Sequence, residues 1–342
     1  MDDRPVDADV VVVGGGPAGS ATAIACATRG LRVTLCEREP AERHRPGETL
    51  HPGIEPVLAQ LGIGDRLAQV VGARHAGIWI EWGGPRRFET FGGDAAGPWQ
   101  GFQVWRADFD ALLQERAREV GVALRQGCRV IDVLRSGDVA CGVQTAEGPI
   151  TARMVVDATG AARWLGRALQ IASPPQSPTL LARYGYVEGE CPSRDDAPAL
   201  VGDASGWTWS ARVRPRTYQW TRVCFDTTQP TVDVPNELRE LSPLGRTRGA
   251  DVTWRMAKQT AGAGWFMVGD AAATLDPTSS HGVLKALLSG ITAGHLIAAV
   301  LANKAPAAEA AAAYHDWIAA WFATDAQRLR KFYRDLGAAV FA

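Results

Sequence analysis

The spacing of apolar positions changes from strand-like to helix-like near the start of the chain. Four apolar residues at 10–13 predict a buried strand, and small residues at 20–28 predict a closely packed helix. A second apolar strand at 31–35 follows and stops at Cys36 and Glu37. Because glycines separate the first strand from the helix, the pattern predicts a strand, a tight turn, a helix and a strand. This is the unit of a parallel α/β sheet.

Helical and strand-like stretches also divide the rest of the chain. Helical periodicity predicts further helices at 54–61, 106–119, 281–303 and 306–335. Loose alternation among glycines predicts short strands at 76–104, and clearer alternation predicts strands and hairpins at 124–155. Prolines, tryptophans and alternating arginines mark 174–254. There we expect antiparallel strands that form one face of a substrate domain.

The glycine turn carries a dinucleotide-binding motif. Gly14, Gly16 and Gly19 form G-x-G-x-x-G. In a dinucleotide site these glycines allow the tight turn, the approach of a pyrophosphate and the packing of helix on strand. The N–H groups at the helix start would face the phosphates, and Glu37 lies where an acid takes the ribose hydroxyls. The alternative is a glycine-rich turn that binds nothing. The motif alone does not separate NAD from FAD, but its position near the start of the chain favours FAD.

Composition narrows the possible partners and compartments. The chain has 342 residues and a formal net charge of −1, which disfavours nucleic acid or an anionic membrane as a partner. Its six cysteines form no C-x-x-C pair, which indicates free thiols in a reducing compartment. The histidines are scattered, so no metal site is predicted. We recognise no signal peptide and no apolar run long enough to span a bilayer. We therefore expect a cytoplasmic protein.

Four separated motifs together resemble one family. GGGPAGSA, VWRADFDALL, DATG at 157–160 and FMVGDAAATLDP at 266–277 occur in this order. They resemble the FAD-dependent monooxygenases of the aromatic-hydroxylase fold. That superfamily includes tryptophan halogenases, geranylgeranyl reductases and the flavoprotein maturases of quinone-cofactor enzymes. The segments GETLHPGIEPVLAQLGI and LDPTSSHGVLKALLSG most resemble the maturases that oxygenate a tryptophan of a partner oxidase. Such maturases help to build the cysteine tryptophylquinone of lysine-ε-oxidase and glycine oxidase.

This resemblance implies a fold and a division into domains. It implies an α/β protein with a Rossmann-like FAD-binding domain of the aromatic-hydroxylase fold and an antiparallel β-sheet substrate domain. We assign the FAD-binding domain, with its C-terminal helices, to 1–75, 100–170 and 257–342. The substrate domain then comprises 76–99 and 171–256.

The resemblance also implies which residues bind FAD. Asp270 would accept a hydrogen bond from a ribityl hydroxyl, and it could also cap the next helix. Arg106 would approach the diphosphate, or else be a surface arginine. The helix after Pro277 would point its N-terminus at the flavin, where its dipole stabilises negative charge on the reduced ring. The expected cofactor-binding residues are Gly14, Gly16, Pro17, Ala18, Gly19, Glu37, Arg38, Arg45, Arg106, Asp157, Gly160, Gly269, Asp270, Pro277, Gly282 and Val283.

Three further residues are candidates for catalysis. His281, beside the start of that helix, is a candidate proton donor or substrate contact, or an ordinary loop histidine. The loop at 45–53 resembles one that lies over the flavin in halogenase-like relatives. In it, Glu48 would order the loop. His51 would approach the flavin ring, or be a hydrogen-bonded loop residue without a catalytic role.

The same motifs favour oxygenation over halogenation. Halogenases of this superfamily carry W-x-W-x-I-P and an essential lysine early in the chain. Here Trp207 and Trp209 precede Ala211 and Arg212, and the first lysine is Lys258. We therefore expect an FAD-dependent monooxygenase that uses O2 to hydroxylate an electron-rich indole, above all a tryptophan of a precursor protein or peptide. DATG replaces the DG-centred motif of NADPH-using hydroxylases, which argues against direct use of NADPH. No second dinucleotide motif is visible, so either NAD(P)H binds transiently or a separate reductase supplies the electrons.

Other functions of the same fold stay open. They are a small-molecule aromatic hydroxylase, a flavin-dependent reductase, and an FAD-binding assembly chaperone without turnover. The region 183–222 bears on this choice because it interleaves arginines with tyrosines and tryptophans. Either these residues form a packed sheet with a solvated outer face, or they form a docking surface for a protein substrate.

Overall fold

Helices and strands alternate along the chain in the computed structural model, which describes residues 6–40, 46–203, 205–225, 234–279 and 281–341. The helices are α1 Pro17–Ala27, α2 Glu55–Gln60, α3 Arg106–Glu119, α4 Trp164–Ala168, α5 Pro192–Asp195, α6 Gly282–Leu301 and α7 Ala307–Asp335. The strands up to residue 145 are β1 Ala8–Val13, β2 Val33–Glu37, β3 Thr49–Leu50, β4 Val71–His75, β5 Gly77–Glu81, β6 Arg87–Thr90, β7 Gly93–Asp94, β8 Gly97–Pro98, β9 Gly101–Val104, β10 Ala123–Gln126, β11 Val130–Ser136 and β12 Val139–Thr145. The later strands are β13 Gly148–Asp157, β14 Leu181–Glu188, β15 Ala199–Asp203, β16 Gly206–Arg214, β17 Thr217–Cys224, β18 Ser242–Asp251, β19 Arg255–Met256, β20 Ala261–Gly262, β21 Trp265–Met267 and β22 Ala273–Thr274.

The predicted helices are present, with small shifts at their ends. The bounds of α3 match the prediction, and α6 and α7 lie inside the predicted stretches. The first helix begins at Pro17 rather than at residue 20, because proline suits the first helical turn, where its missing N–H is not needed. The stretch predicted as one helix at 54–61 is a short 3-10 helix, Pro52–Ile54, followed by α2.

A parallel sheet forms the centre of the molecule. Its strands run parallel in the order β10, β2, β1, β13 and β21. Beside β13 the sheet continues with β12, antiparallel to β13, and then with β11, antiparallel to β12. In the register, Val13 lies opposite both Cys36 and Asp157, and Asp157 lies opposite Met267. The carboxyl ends of these strands therefore meet at one edge, which is where open α/β sheets bind ligands.

A second sheet brings together strands from two distant parts of the sequence. Its order is β18, β14, β17, β16, β15, β5 and β6, and only the β15–β5 pair is parallel among these strands. Strands from 76–99 and from 171–256 thus share one sheet, as the proposed substrate domain requires. The domain boundaries themselves remain a proposal.

Small residues allow α1 and α6 to pack closely. A Cβ atom on Gly290 would lie 2.3 Å from the carbonyl oxygen of Ala18, and one on Gly294 would lie 2.7 Å from the Cβ of Ala25. By length and composition, α6 could cross a membrane, since an 18-residue window reaches a mean hydropathy of 1.7. The expectation that no segment is long and apolar enough was therefore wrong. Half of that window is buried inside the protein, and a core helix passes the same test.

An aromatic cluster joins the second sheet to α7 and to the segment that leads into α6. The indole N–H of Trp207 donates to the hydroxyl of Tyr333 at 2.9 Å, and that hydroxyl lies 2.7 Å from Oγ1 of Thr278. The indole N–H of Trp254 donates to Asp276 at 2.6 Å, where burial raises the pKa of the carboxyl. These buried polar contacts fix the position of the segment before α6.

Candidate functional site

The glycine turn has the shape that a dinucleotide site requires. Gly14 has φ of +108°, and a Cβ there would lie 2.4 Å from the carbonyl oxygen of Ala158. A Cβ on Gly19 would lie 1.9 Å from the carbonyl oxygen of Gly14, so the first turn of α1 is pressed against the loop. By contrast, no heavy atom of the described residues lies within 4 Å of a Cβ on Gly16. The turn is closed where helix and strand meet and open where a pyrophosphate would approach.

Glu37 is buried and oriented by backbone N–H groups. Its Oε2 accepts from the N–H of Gly15 at 2.8 Å, and its Oε1 accepts from the N–H of Glu39 at 3.0 Å. A carboxylate has about four acceptor positions, so ribose hydroxyls could share these oxygens. The side chain of Gln114 on α3 donates to the carbonyl of Gly15 at 2.9 Å, a contact that the sequence did not reveal. Arg38 points into solvent and pairs with Glu39 at 3.2 Å.

The carboxylate of Asp157 makes its hydrogen bonds within its own loop, at 157–165, rather than toward the groove. Its carboxylate accepts from the backbone and hydroxyl of Thr159, at 2.9 and 2.7 Å, and from the N–H of Leu165 at 2.8 Å. The carboxyl is fully buried, and loss of water raises its pKa. Any contact between this turn and a dinucleotide would come from its backbone, including Gly160, which has φ of +65°.

Asp270 presents its carboxylate to the groove. Gly269, before it, has φ of +59°, donates its N–H to the hydroxyl of Ser289 at 2.9 Å, and lies against the start of α1. Asp270 is exposed, and it accepts no side-chain hydrogen bond from the described residues. Protein atoms surround the groove, so desolvation raises the pKa of this carboxyl, while Arg163 and Arg106 act to lower it. We call the groove between the turns at 14–19, 157–160 and 269–270 the cofactor cradle.

The two candidate histidines meet at the N-terminus of α6. Their ring centroids are 4.7 Å apart, and the planes are tilted by 41°. His51 accepts the N–H of Gly53 through Nδ1 at 3.0 Å, and burial together with the nearby His281 lowers its pKa. His281 lies immediately before Gly282, the first residue of the helix, and four residues after Pro277. The structure therefore brings together two histidines that lie far apart in the sequence.

Glu48 is the centre of a buried polar network beside this pair. Its carboxylate accepts from the N–H of Gly47 at 2.8 Å and from the hydroxyl of Tyr186 on β14. Burial raises the pKa of Glu48 to about 7, although Tyr186 and Arg106 oppose the rise. Arg106 is itself buried, donates to the carbonyl of Pro46 at 2.7 Å and pairs with Asp110 at 3.1 Å. It is therefore not a surface arginine.

Gly47 explains why this loop lies against both α3 and α6. It has φ of +106°, and a Cβ there would lie 2.6 Å from Nη1 of Arg106 and 3.6 Å from Cγ2 of Val283. The network thus holds the loop to the second sheet, to α3 and to the start of α6. Arg45, also expected at this loop, lies outside the described residues.

A pocket at the start of α6 continues from the cradle toward α7. It has about 380 Å³ of space, part of it open to solvent, and its lining includes Asp270 and His281. Lys285 also lines it, with Nζ 3.2 Å from Asp325 and 4.6 Å from the ring centroid of Trp321. Among the residues that the structure describes, no three His, Cys, Asp or Glu side chains are grouped to hold a metal ion.

The aromatic residues of the second sheet belong to the core. Trp207, Trp220 and Tyr218 are each at most 2% exposed. The arginines between them pair with carboxylates, in the pairs Arg212–Asp195, Arg214–Asp108, Arg216–Glu190 and Arg222–Asp203. They share a face with some of the aromatic residues, because Arg212 lies opposite Tyr218 in the β16–β17 pair. Trp207 packs in the main core, whereas Tyr218 and Trp220 pack with Leu238 on the other face of the sheet. The sheet is packed as the first account requires, but its aromatic residues lie on both faces.

These residues fit FAD. The open face at Gly16, the free N–H groups at the start of α1 and the buried acid at Glu37 suit an adenosine diphosphate group. The carboxylate of Asp270, which accepts no side-chain hydrogen bond from the described residues, and the N-terminus of α6 line one pocket. They suit a polyol chain and a ring that becomes anionic.

Comparisons with known proteins agree with this geometry. The sequence family described as FAD binding domain matches residues 7–198, more than half of the chain. The tryptophan 2-halogenase of Chondromyces crocatus is 27% identical over 345 residues, which cover 91% of this chain. The chain spans 65% of the length of that relative, just under two thirds.

Solved structures share the fold. A myxobacterial chondrochloren halogenase, described as a variant of FAD-dependent halogenases, superposes with a TM-score of 0.87 at 26% identity. The match covers 96% of this chain and 83% of that one. A peptidyl tryptophan dihydroxylase essential for tryptophylquinone cofactor biogenesis superposes with a TM-score of 0.76 at 23% identity, over 98% of this chain and 77% of that one. These likenesses confirm the predicted fold class.

Proposed function

The chain belongs to the FAD-binding domain family, among the halogenase-like flavoprotein monooxygenases, and from that premise we propose that it hydroxylates an electron-rich indole. The substrate in this proposal is a tryptophan held in a peptide or precursor protein. The observation that carries the proposal is the meeting of His51 and His281, 4.7 Å apart, at the end of the cradle where α6 begins. The fold shared with a peptidyl tryptophan dihydroxylase supports the choice of substrate class.

Each part of the site has a role in this proposal. The glycine turn and the start of α1 would bind the diphosphate of FAD, and Asp270 would hold the ribityl chain. FAD, when bound, would take electrons from NAD(P)H or a separate reductase and pass them to O2. The N-terminus of α6 would stabilise negative charge that develops beside it.

The histidine pair accepts and passes on the proton that leaves the substrate during hydroxylation. Burial and the neighbouring ring lower the pKa of His51, so this imidazole is neutral at neutral pH. A neutral imidazole can accept a proton from the indole or its neighbourhood and pass it on. The network around Glu48 holds the loop of His51 in place and keeps water away from this end of the cradle.

The test is a mass measurement on two substrates. FAD-loaded protein, reduced by NAD(P)H or by a chemical reductant in air, is offered free tryptophan or a peptide that contains tryptophan. We expect the peptide to gain one or more oxygen masses and free tryptophan to react poorly. Efficient oxygenation of free tryptophan, with the peptide unchanged, would replace this proposal with a small-molecule hydroxylase.

Halogenation is the second candidate, and a specific observation favours it. Lys285 lines the pocket at the start of α6, although the sequence has no early lysine. One halogenase is a sequence relative, and the other shares the fold. The same reaction in bromide buffer distinguishes the two functions, because a brominated indole has an isotope doublet that an oxygenated one lacks.

A further inference from the structure

An ion pair joins α6 to α7 beside the end of the cofactor cradle. Nζ of Lys285 on α6 lies 3.2 Å from Oδ2 of Asp325 on α7. The same amine lies 4.6 Å from the ring centroid of Trp321, one turn before Asp325 on α7. A carboxylate and the face of an indole ring therefore hold the ammonium group between the two helices.

The first turn of α6 places this pair close to the cradle. The N–H of Lys285 donates to the carbonyl of His281 at 2.8 Å, so the two residues lie on one side of the helix, about 6 Å apart along its axis. The next residue packs against the turn of Asp270, since a Cβ on Gly269 would lie 3.6 Å from the Cβ of Ala286. Lys285, His281 and Asp270 line the same pocket. An anionic ring bound at the N-terminus of α6 would therefore lie within reach of both charges.

Limited exposure to water preserves the effect of these charges. The side chains of Lys285 and Asp325 are 24% and 12% exposed, so solvent screens them less than it screens a surface pair. Arg328 also approaches Asp325, at 3.9 Å, but its side chain is 77% exposed and water screens its charge. The ammonium of Lys285 and the carboxylate of Asp325 therefore act on this end of the cradle with opposite signs.

We propose that Lys285 and Asp325 adjust the reduction potential of bound FAD by opposite electrostatic effects. Reduction adds negative charge to the flavin ring, and charged groups near the ring change how readily it accepts electrons. The ammonium of Lys285 favours the reduced ring, whereas the carboxylate of Asp325 favours the oxidised ring. The pair thereby determines which electron donors can reduce the cofactor. The inference rests on the placement of FAD in the proposed function, and it does not depend on the indole substrate.

The test is an anaerobic reductive titration of FAD-loaded protein with a redox dye of known potential, at one pH and one ionic strength. Lys285→Met leaves the carboxylate without its ammonium, so the ratio of reduced to oxidised FAD at a fixed dye potential should fall about tenfold. Asp325→Asn leaves the ammonium without its carboxylate, so the same ratio should rise about tenfold. For a two-electron couple, each tenfold change corresponds to a shift of about 30 mV.

An exposed ion pair on α7 is the matched control. Lys331 pairs with Asp335, and their side chains are 72% and 59% exposed. Lys331→Met and Asp335→Asn repeat the two chemical changes where water screens the charges, so each variant should keep the potential of the parent. Lys285→Arg, which keeps the positive charge, should also stay close to the parent.

The direction of the two shifts decides the proposal. A loosened fold gives no reason for opposite shifts, and the double variant of Lys285→Met and Asp325→Asn should return toward the parent value. If one variant loses FAD, the sign of the other still decides. Shifts of equal sign, unchanged potentials, or equal shifts in the control pair overturn the proposal and leave the placement of FAD intact. A parent protein that binds no FAD overturns that placement, and this proposal with it.

Discussion

The pH dependence of stability gives a direct test of the Glu48 network. Glu48 is 4% exposed and lies between the N–H of Gly47 and the hydroxyl of Tyr186. Burial raises the pKa of its carboxyl from 4.5 to about 7. Between these two values, the folded protein keeps a proton that the unfolded chain has released. The free energy of unfolding must therefore fall as the pH rises through this window.

The magnitude follows from the two pKa values of Glu48. A difference of one pH unit corresponds to 1.36 kcal/mol, so the stability that Glu48 contributes near pH 4.5 is reduced by about 3 kcal/mol above pH 7. Glu48→Gln removes this dependence. It also lowers the free energy of unfolding by an amount that does not vary with pH, because the amide NH2 would face the N–H of Gly47 if its oxygen accepts from Tyr186. The free energy of unfolding of the parent minus that of the variant should thus shrink, or change sign, as the pH rises.

The assay is urea unfolding of both proteins at several pH values between 5 and 8, at constant FAD concentration. When the free energy of unfolding of the variant is subtracted from that of the parent, the contributions of the other buried carboxyls cancel, because both proteins contain them. Tyr186→Phe should move the pKa of Glu48 still higher, since the tyrosine hydroxyl lowers it. Tyr184→Phe, two residues away in the same cluster, is the matched control. A parent-minus-variant difference that stays constant from pH 5 to 8 would refute the reasoning.

Three further predictions follow from the site. Gly16→Val should fold as stably as the parent but remain colourless with added FAD, because its side chain enters open space where a phosphate would lie. Equal FAD binding by the parent and Gly16→Val would disprove the assignment of the glycine turn to the phosphates. Gly19→Ala should instead lower the midpoint of thermal unfolding, because its Cβ would lie 1.9 Å from a backbone oxygen. His281→Ala should keep FAD and slow turnover about 10²–10⁴-fold in single-turnover assays, with the exposed His295→Ala on the same helix as its control; an unchanged rate would demote His281 to a loop residue. Mass spectra of products formed in chloride or bromide should show no halogenated indole, and an isotope doublet would contradict this.

Local patterns account for what the sequence predicted well. The change of period around Gly14 located the turn between β1 and α1, and the spacing of apolar residues located α3, α6 and α7. The motif at the end of β21 placed Asp270 in the groove. Each of these features depends on residues close together in the chain, where backbone geometry links sequence to structure directly.

The contacts that position the site were not predictable in this way. Gln114 and Gly15 are 99 residues apart, and Tyr186 and Glu48 are 138 apart. The first pair depends on how α3 packs against α1, and the second on how the second sheet lies against the loop of Glu48. No local period records either contact. The buried state of Arg106 depends on the same packing. Alternation along the second sheet could not reveal that aromatic residues on both of its faces are covered by the rest of the protein.

The choice between oxygenation and halogenation depends on where a lysine lies in space, which its position in the sequence does not reveal. The sequence argument disfavoured halogenation because no lysine precedes Lys258 and because Ala211 and Arg212 replace Ile-Pro, yet Lys285 lines the pocket at the start of α6. A lysine that handles a halogen species needs an accessible and reactive amine. The amine of Lys285 lies 3.2 Å from Asp325, which is 12% exposed, and 4.6 Å from the centroid of the Trp321 ring. This pairing holds the amine beside α7. Oxygenation therefore stays a proposal, and Asp325→Asn, which removes the carboxylate that holds the amine, is the variant in which halogenation should be sought.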